Sequence, residues 1–329
     1  MLGFAINSMT SPASTARPVP SPFDPDDAAG YARWRERKLA LAPTEAAELR
    51  VPVRDPRALD PDERAAILAT CRRANMAIYR VSEPDDMDRG ALLALAGQLG
   101  LKRFDRNLCA DEEAISALEV RSHGPAGEYI PYTNRRLSWH TDGYYNEEAR
   151  RIRAFLLHCV RPAAQGGENE LLDPEIAYIY LRDANPDYVR ALMAPDAMIV
   201  PANVRNGRVV RAAFVGPVLG IEPRTGDLFM RYTERSRFVR WRNDRTTQAA
   251  IRFLAEILRS DIPYKVRYRL APGEGLINNN VLHTRSAFQD PPQGPGRLLL
   301  RARSYDRIAG TALNRRFSTK VEMDDVVAE

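Results

Sequence analysis

An imidazole and a carboxylate, His140 and Asp142, stand two apart in Ser138-Trp-His-Thr-Asp, and a second imidazole, His283, lies far downstream in Asn278-Asn-Asn-Val-Leu-His-Thr-Arg. Alternate side chains of a strand leave the same face, so an extended 138–142 segment points His140 and Asp142 together. A strand returning alongside with His283 brings two imidazoles and one carboxylate to a single divalent metal. That set leaves positions open for a chelating co-substrate and dioxygen, and its mixture of nitrogen and oxygen suits Fe(II) better than a closed zinc cage.

His-x-Asp alone is a weak signal, and the residues beyond His283 give it weight. There the chain reads Gly296-Arg-Leu-Leu-Leu-Arg-Ala-Arg-Ser-Tyr, which sets Arg297 and Arg301 four apart on one face of a strand. A guanidinium there can grip a carboxylate through two parallel charge-assisted hydrogen bonds, as the distal carboxylate of 2-oxoglutarate requires.

Several motifs recur in a fixed order: Ala77-Ile-Tyr-Arg-Val, Leu92-Leu-Ala-Leu-Ala-Gly-Gln-Leu-Gly, Leu137-Ser-Trp-His-Thr-Asp-Gly, Gly166-Gly-Glu-Asn-Glu-Leu-Leu-Asp, Ala271-Pro-Gly-Glu-Gly-Leu-Ile-Asn-Asn-Asn-Val-Leu-His-Thr-Arg and Arg297-Leu-Leu-Leu-Arg. In order, spacing and residue type this series resembles the taurine dioxygenase branch of the Fe(II)/2-oxoglutarate-dependent oxygenases, with clavaminate synthase and γ-butyrobetaine hydroxylase among the relatives.

The resemblance implies a dioxygenase with His140, Asp142 and His283 as iron ligands and Arg297 as the anchor of the 2-oxoglutarate carboxylate. Arg301 matches a second arginine that faces substrate in some relatives. Asn169 stands where the family usually has threonine or serine, and its amide can still donate to the co-substrate. Asn278 replaces a frequent aspartate. The carboxylate of Asp142 argues against halogenation, since related halogenases carry a small residue there.

Arg301, Arg285, Tyr144, Tyr145, Asn134 and His123 are the polar groups expected near the opening, where arginines favour an anionic or zwitterionic small molecule. Each has a plainer reading. The arginines can be held in ion pairs, the tyrosines can pack a strand end, and His123 can be a surface loop residue. Two other functions stay open on the sequence: a cupin-type metal enzyme that ignores 2-oxoglutarate, and a barrel that binds without catalysing.

The implied architecture is α+β, a double-stranded β-helix (jelly roll) with flanking helices and a long insertion between core strands. Asp60-Pro-Asp-Glu reads as a cap and start of a helix to about Ala74, and Met76–Val81 as a strand. Asp88–Leu99 reads as a helix stopped by Gly100, and Ala154–Val160 as a strand whose His158 faces a core. Pro174–Leu181 and Thr246–Arg259 read as outer helices, and Arg205–Val215 and Asp227–Tyr232 as strands near a lid. Residues 1–30, rich in Pro, Ser and Ala, read as a disordered tail, and 31–329 as one catalytic domain.

The 329 residues carry 48 basic and 43 acidic side chains, and only Lys38, Lys102, Lys265 and Lys320 are lysines. Arginine clusters at 205–211 and 231–242 read as solvated basic faces. The near balance of charge points away from nucleic acid, and no apolar run approaches the ~18–20 residues of a membrane span. Cys71, Cys109 and Cys159 match neither a disulfide framework nor a zinc motif, which suits a reducing cytoplasm. A homo-oligomer stays open.

Overall fold

The computed structural model describes residues 20–106, 114–121, 129–205 and 207–313. The helices α1 (Ala28–Leu41), α2 (Pro61–Ala74) and α3 (Arg89–Gln98) lie in the N-terminal part. Each begins on an aspartate whose side chain accepts from a first-turn N–H: Asp27, Asp60 and Asp88. Asp60 forms a full capping box with Glu63, followed by Pro61, so the start of α2 lies where the sequence puts it. Helices α4 (Pro174–Ala184), α5 (Pro186–Leu192) and α6 (Arg245–Arg259) belong to the excursion between the two histidines.

Ten strands form the two main sheets. They are β1 (Arg50–Val53), β2 (Met76–Val81), β3 (Ile115–Leu118), β4 (Leu137–His140), β5 (Ala154–Arg161), β6 (Asn169–Leu172), β7 (Val266–Tyr268), β8 (Glu274–Asn278), β9 (Leu282–Arg285) and β10 (Leu298–Ser304). One sheet has the order β1-β2-β8-β5-β10-β3 and the other β7-β6-β9-β4. All pairings in them are antiparallel except β1 with β2. The protein is thus a mixed helix and sheet structure.

Alternation along the strands divides the apolar residues into separate cores. Phe155, Leu157, Leu171, Leu276 and Leu299 share a core with residues of both sheets. Leu156, Ile277, Leu300 and Ala302, one residue out of phase, pack beneath α2 and α3 with Ile67, Leu92 and Leu95. His158 joins this outer face, as expected. It is fully buried, with Nδ1 3.0 Å from the Tyr79 hydroxyl.

A third core joins Trp139, Leu172 and Leu282 to α4, α5, α6 and the N-terminal segment. Here the tail reading is corrected for residues 20–30. Phe23 is fully buried, edge-on to Trp34 at 4.8 Å and Tyr178 at 5.2 Å, while Arg182 donates to the carbonyls of Pro22, Asp24, Pro25 and Asp27. A Pro-rich segment with few backbone partners of its own is held by a side chain from another element. Residues 1–19 lie outside the described ones.

The strand expected over 205–215 is broken: Asn203–Arg205 pairs with Arg208–Arg211 as a hairpin, and Phe214–Gly216 then pairs with Met198–Val200. Leu228–Met230, shorter than expected, pairs with Leu219–Ile221. Cys71 and Cys159 are buried free thiols, and Cys109 lies outside the described residues. Among the described residues no helix is long and apolar enough to cross a membrane.

Candidate active site

Strands β4 and β9 run side by side, with His140 directly opposite His283. Their rings lie 4.1 Å apart between centroids. Between this pair and the next, Leu137 opposite Arg285, β4 carries one extra residue. This bulge changes the phase of the strand. Leu137 and His283 line one cavity while Trp139 packs into the third core.

Asp142 does not continue the strand, contrary to the expectation from alternation. β4 ends at His140, and Asp142 opens a turn in which Gly143 has φ +63°. A Cβ at that glycine would meet Ile152 Cγ1 at 2.4 Å, so both the backbone angle and the space require glycine. What places Asp142 is Asn280. Its Oδ1 accepts the Asp142 N–H at 2.8 Å, and its Nδ2 donates to the Asp142 carbonyl at 3.0 Å and to the Ile152 carbonyl at 2.9 Å.

One ligand atom each from His140, Asp142 and His283 lies within 4.8 Å of the others. Nδ1 of His140 is 2.9 Å from the Ser138 carbonyl, and Nδ1 of His283 is 2.9 Å from the Val281 carbonyl. A carbonyl only accepts, so each Nδ1 carries the proton and each Nε2 keeps its lone pair for a metal. Burial, and then the neighbouring His283, push His140 down to about 3; burial likewise lowers His283. Burial alone would raise the Asp142 carboxyl, yet the Arg301 and Arg303 guanidiniums hold it well below the usual carboxylate range. Two neutral imidazoles and one carboxylate, with their donor atoms converging, fit a divalent iron.

Beside His283 lies a small cavity lined by Leu118, Leu157, Asn169, Arg285, Arg297 and Arg301, among others. Arg297 is 4% exposed and lies over the Phe288 ring at 5.0 Å, and its Nη1 is buried with no hydrogen-bond partner among the described residues. Burial pushes it down to about 10, so it stays a cation at neutral pH. A buried, unpaired guanidinium nitrogen is costly, which fits a carboxylate ligand brought from outside the chain. Arg301 lies with Nη1 3.5 Å from Asp142 Oδ2.

Other expected residues fare differently. Arg285 is not at an open mouth: it is buried, and its Nη atoms donate to the carbonyls of Pro131, Ile130, Thr133 and Arg135. Its Nη donors are committed to that loop, while the residue still lines the cavity beside His283 and its Nε has no hydrogen-bond partner among the described residues. Asn134 has an exposed side chain, and its carbonyl accepts from the Phe288 N–H at 3.1 Å. Tyr144 is half-buried and edge-on to Tyr145 at 5.2 Å. His123 lies outside the described residues.

Of the basic faces, Arg211 and Arg235 are half-buried and Arg231 is buried outright. It is 2% exposed, paired with Glu148 at 2.9 Å and set 4.1 Å over the Phe214 ring. A residue unforeseen beside the cluster is Arg303, the next inward position on β10 after Arg301, bound to Asp105 and, at 3.2 Å, to the Tyr145 hydroxyl. The same period-2 reading that chose Arg297 and Arg301 reaches it.

The family model described as taurine catabolism dioxygenase TauD, TfdA family matches residues 37–303. The chain belongs to this family. It is 28% identical over 264 residues to a uridine-5'-phosphate dioxygenase of Amycolatopsis sp, covering 74% of this chain and 92% of that one. A uridine-5'-phosphate dioxygenase of Streptomyces sp is 34% identical over 199 residues, 58% of this chain and 69% of the relative.

Among solved structures, asparagine oxygenase in complex with Fe(II), 2S,3S-3-hydroxyasparagine and succinate aligns at TM-score 0.51 with 18% identity, covering 87% of this chain and 92% of the other. A taurine dioxygenase from Burkholderia xenovorans aligns at 0.50 with 18% identity, covering 78% and 88%. These likenesses concern the fold. The protein is an Fe(II)- and 2-oxoglutarate-dependent oxygenase, an enzyme that takes a small-molecule substrate and dioxygen.

Proposed function

We propose that His140, Asp142 and His283 hold the iron, that Arg297 and Asn169 bind 2-oxoglutarate, and that the enzyme hydroxylates a C–H bond of a small anionic molecule. The observation that carries this reading is the convergence of three metal-competent atoms beside a cavity that holds a buried guanidinium with an unpaired nitrogen. When bound, Fe(II) and 2-oxoglutarate supply the oxidation of the C–H bond by dioxygen, with release of succinate and carbon dioxide.

The chain's part is placement. The Ser138 and Val281 carbonyls fix the ring tautomers of His140 and His283. Arg297 meets the far carboxylate of the co-substrate with a paired fork, and Asn169, on β6 opposite Tyr268, offers an amide donor within the same cavity. Arg301 keeps the Asp142 carboxylate ionised and presents a cation to an incoming anion. Leu118, Phe155 and Leu157 line the cavity with apolar surface and exclude water.

Sheet alternation supports the finer architecture. From β4 to β10 the chain passes between the two sheets at nearly every step, the pattern of a double-stranded β-helix. We read the whole as one catalytic unit, and the free buried thiols suit a reducing cytoplasm.

The names of the two dioxygenase relatives make uridine 5′-phosphate the first substrate to try. Wild-type enzyme given Fe(II) and 2-oxoglutarate without oxygen is expected to turn lilac through a metal-to-ligand charge-transfer band. With oxygen and substrate it is expected to form succinate, and Asp142→Ala is expected to abolish that formation. Unchanged turnover in the variant overturns the ligand assignment. A band perturbed only by uncharged hydrophobic molecules, and not by phosphates, amino acids, sulfonates or short carboxylates, overturns the anionic substrate.

A further inference from the structure

Three arginines line the cavity beside His283, and each keeps one buried nitrogen without a hydrogen bond among the described residues: Nε of Arg285, Nη1 of Arg297 and Nε of Arg301. Arg301 has the Asp142 carboxylate at 3.5 Å. Arg285 and Arg297, each 4% exposed, make no ion pair among the described residues, and no acidic side chain among those residues lines the cavity. Other arginines meet one of these conditions but not both. Arg182 and Arg269 donate to carbonyls and leave no buried nitrogen unmet. Arg151, Arg231, Arg303 and Arg307 leave at least one, yet they stand against Glu222, Glu148, Asp105 and Asp227.

The two unpaired cations share one aromatic ring. Arg285 lies 4.9 Å and Arg297 5.0 Å from the centroid of Phe288, which is itself buried. The Phe288 N–H donates to the Asn134 carbonyl at 3.1 Å, and the Nη donors of Arg285 reach the carbonyls of Ile130, Pro131, Thr133 and Arg135. Loop 130–135 is thus held by the same two residues that stand beside Arg297, and its Pro131 lines the cavity. Two like charges against one ring repel, and each buried N–H without an acceptor adds a desolvation cost. A carboxylate, with two oxygens and about four lone-pair sites, can accept from both nitrogens at once.

We propose that Arg285 is a second cation for the far carboxylate of 2-oxoglutarate: its Nε donates to that group together with Nη1 of Arg297, while its Nη donors tie loop 130–135 to the occupied site. This rests on the oxygenase reading and adds the residue by which the protein tells a dicarboxylic keto acid from a monocarboxylic one.

The test loads wild-type enzyme, Arg285→Gln and Arg285→Lys with Fe(II) in the absence of oxygen. The charge-transfer band is titrated with 2-oxoglutarate and with 2-oxopentanoate, a keto acid of the same chain length that lacks the far carboxylate. Arg285→Gln is expected to weaken 2-oxoglutarate about 10-fold or more, to leave 2-oxopentanoate unchanged, and to be partly rescued by lysine, which keeps the charge. Hydrogen exchange at the Tyr132 and Thr133 amides of wild-type enzyme is expected to slow with 2-oxoglutarate and not with 2-oxopentanoate. This second measurement needs no variant to fold.

Equal losses for the two keto acids in Arg285→Gln overturn the proposal, because a residue that only supports the loop lowers both alike. So does an unaltered 2-oxoglutarate titration in that variant, or loop protection that does not differ between the two keto acids. All of these results leave the lilac band of wild-type enzyme, and with it the Fe(II)/2-oxoglutarate reading, in place. Absence of that band points instead to failure of the oxygenase reading itself.

Discussion

Asn280 grips both sides of the Asp142 peptide, so the carboxylate's position depends on a side chain 138 residues away in sequence. Its own backbone sits at φ +57°, a left-handed angle that asparagine tolerates and alanine resists by about 1 kcal/mol. Asn280→Gly keeps that angle and deletes the grip. The expected outcome is a 10–100-fold loss of Fe(II) affinity, measured by metal titration of the charge-transfer band at saturating 2-oxoglutarate, the usual scale for loss of an outer-sphere partner. Affinity equal to wild type removes Asn280 from the site. Residue types make His140, Asp142 and His283 legible, because few side chains ligate iron. They leave Asn280 hidden in a run of three asparagines, which the sequence places on the strand leading to His283 and does not tell apart. Its neighbours are equally committed: Asn278 donates to the Phe155 carbonyl and Asn279 to Asn75 and Thr311. The division of labour among the three is set by backbone angles that no residue type announces.

At the level of elements, helices with local signals are the readable part. The Asp60 capping box and Gly100, at φ +79° after α3, act within one turn of chain and need no tertiary help. Segments whose partners are remote are not legible in this way. The β4 bulge exists because of β9, and the expected 205–215 strand folds back on itself as a hairpin. The 20–30 segment has the composition of a tail, yet Arg182 supplies donors for its carbonyls and Phe23 fills a gap against Trp34 and Tyr178. Removing a fully buried phenylalanine typically costs about 3–5 kcal/mol. Phe23→Ala is therefore expected to lower unfolding free energy by about 3 kcal/mol or more in urea titration. A change within about 0.5 kcal/mol is what a disordered tail predicts, and it contradicts this packing.

Across the whole molecule, the cores divide by strand face, and that division places one histidine where pH acts on stability rather than on the iron. His158 sits on the outer face of β5 between the larger sheet and its helices, and burial lowers it from 6.5 to about 4. The folded protein therefore resists a proton that the unfolded chain accepts. Stability rises with pH wherever the unfolded state binds more protons. The contribution is intact above about 6.5, drains as pH falls toward about 4, and amounts to about 3 kcal/mol over that window. The neutral ligand histidines bend the curve the same way in metal-free protein, so the wild-type curve alone does not isolate His158. Comparison with His158→Gln does. Glutamine does not titrate, and the shared contributions of His140 and His283 cancel in the difference. Urea unfolding of both proteins between pH 7 and pH 4 is expected to show the wild type losing about 3 kcal/mol more than the variant, whatever the variant's stability at pH 7. Parallel curves mean that the buried His158 takes up its proton as readily folded as unfolded, against the desolvation that its place between sheet and helices imposes.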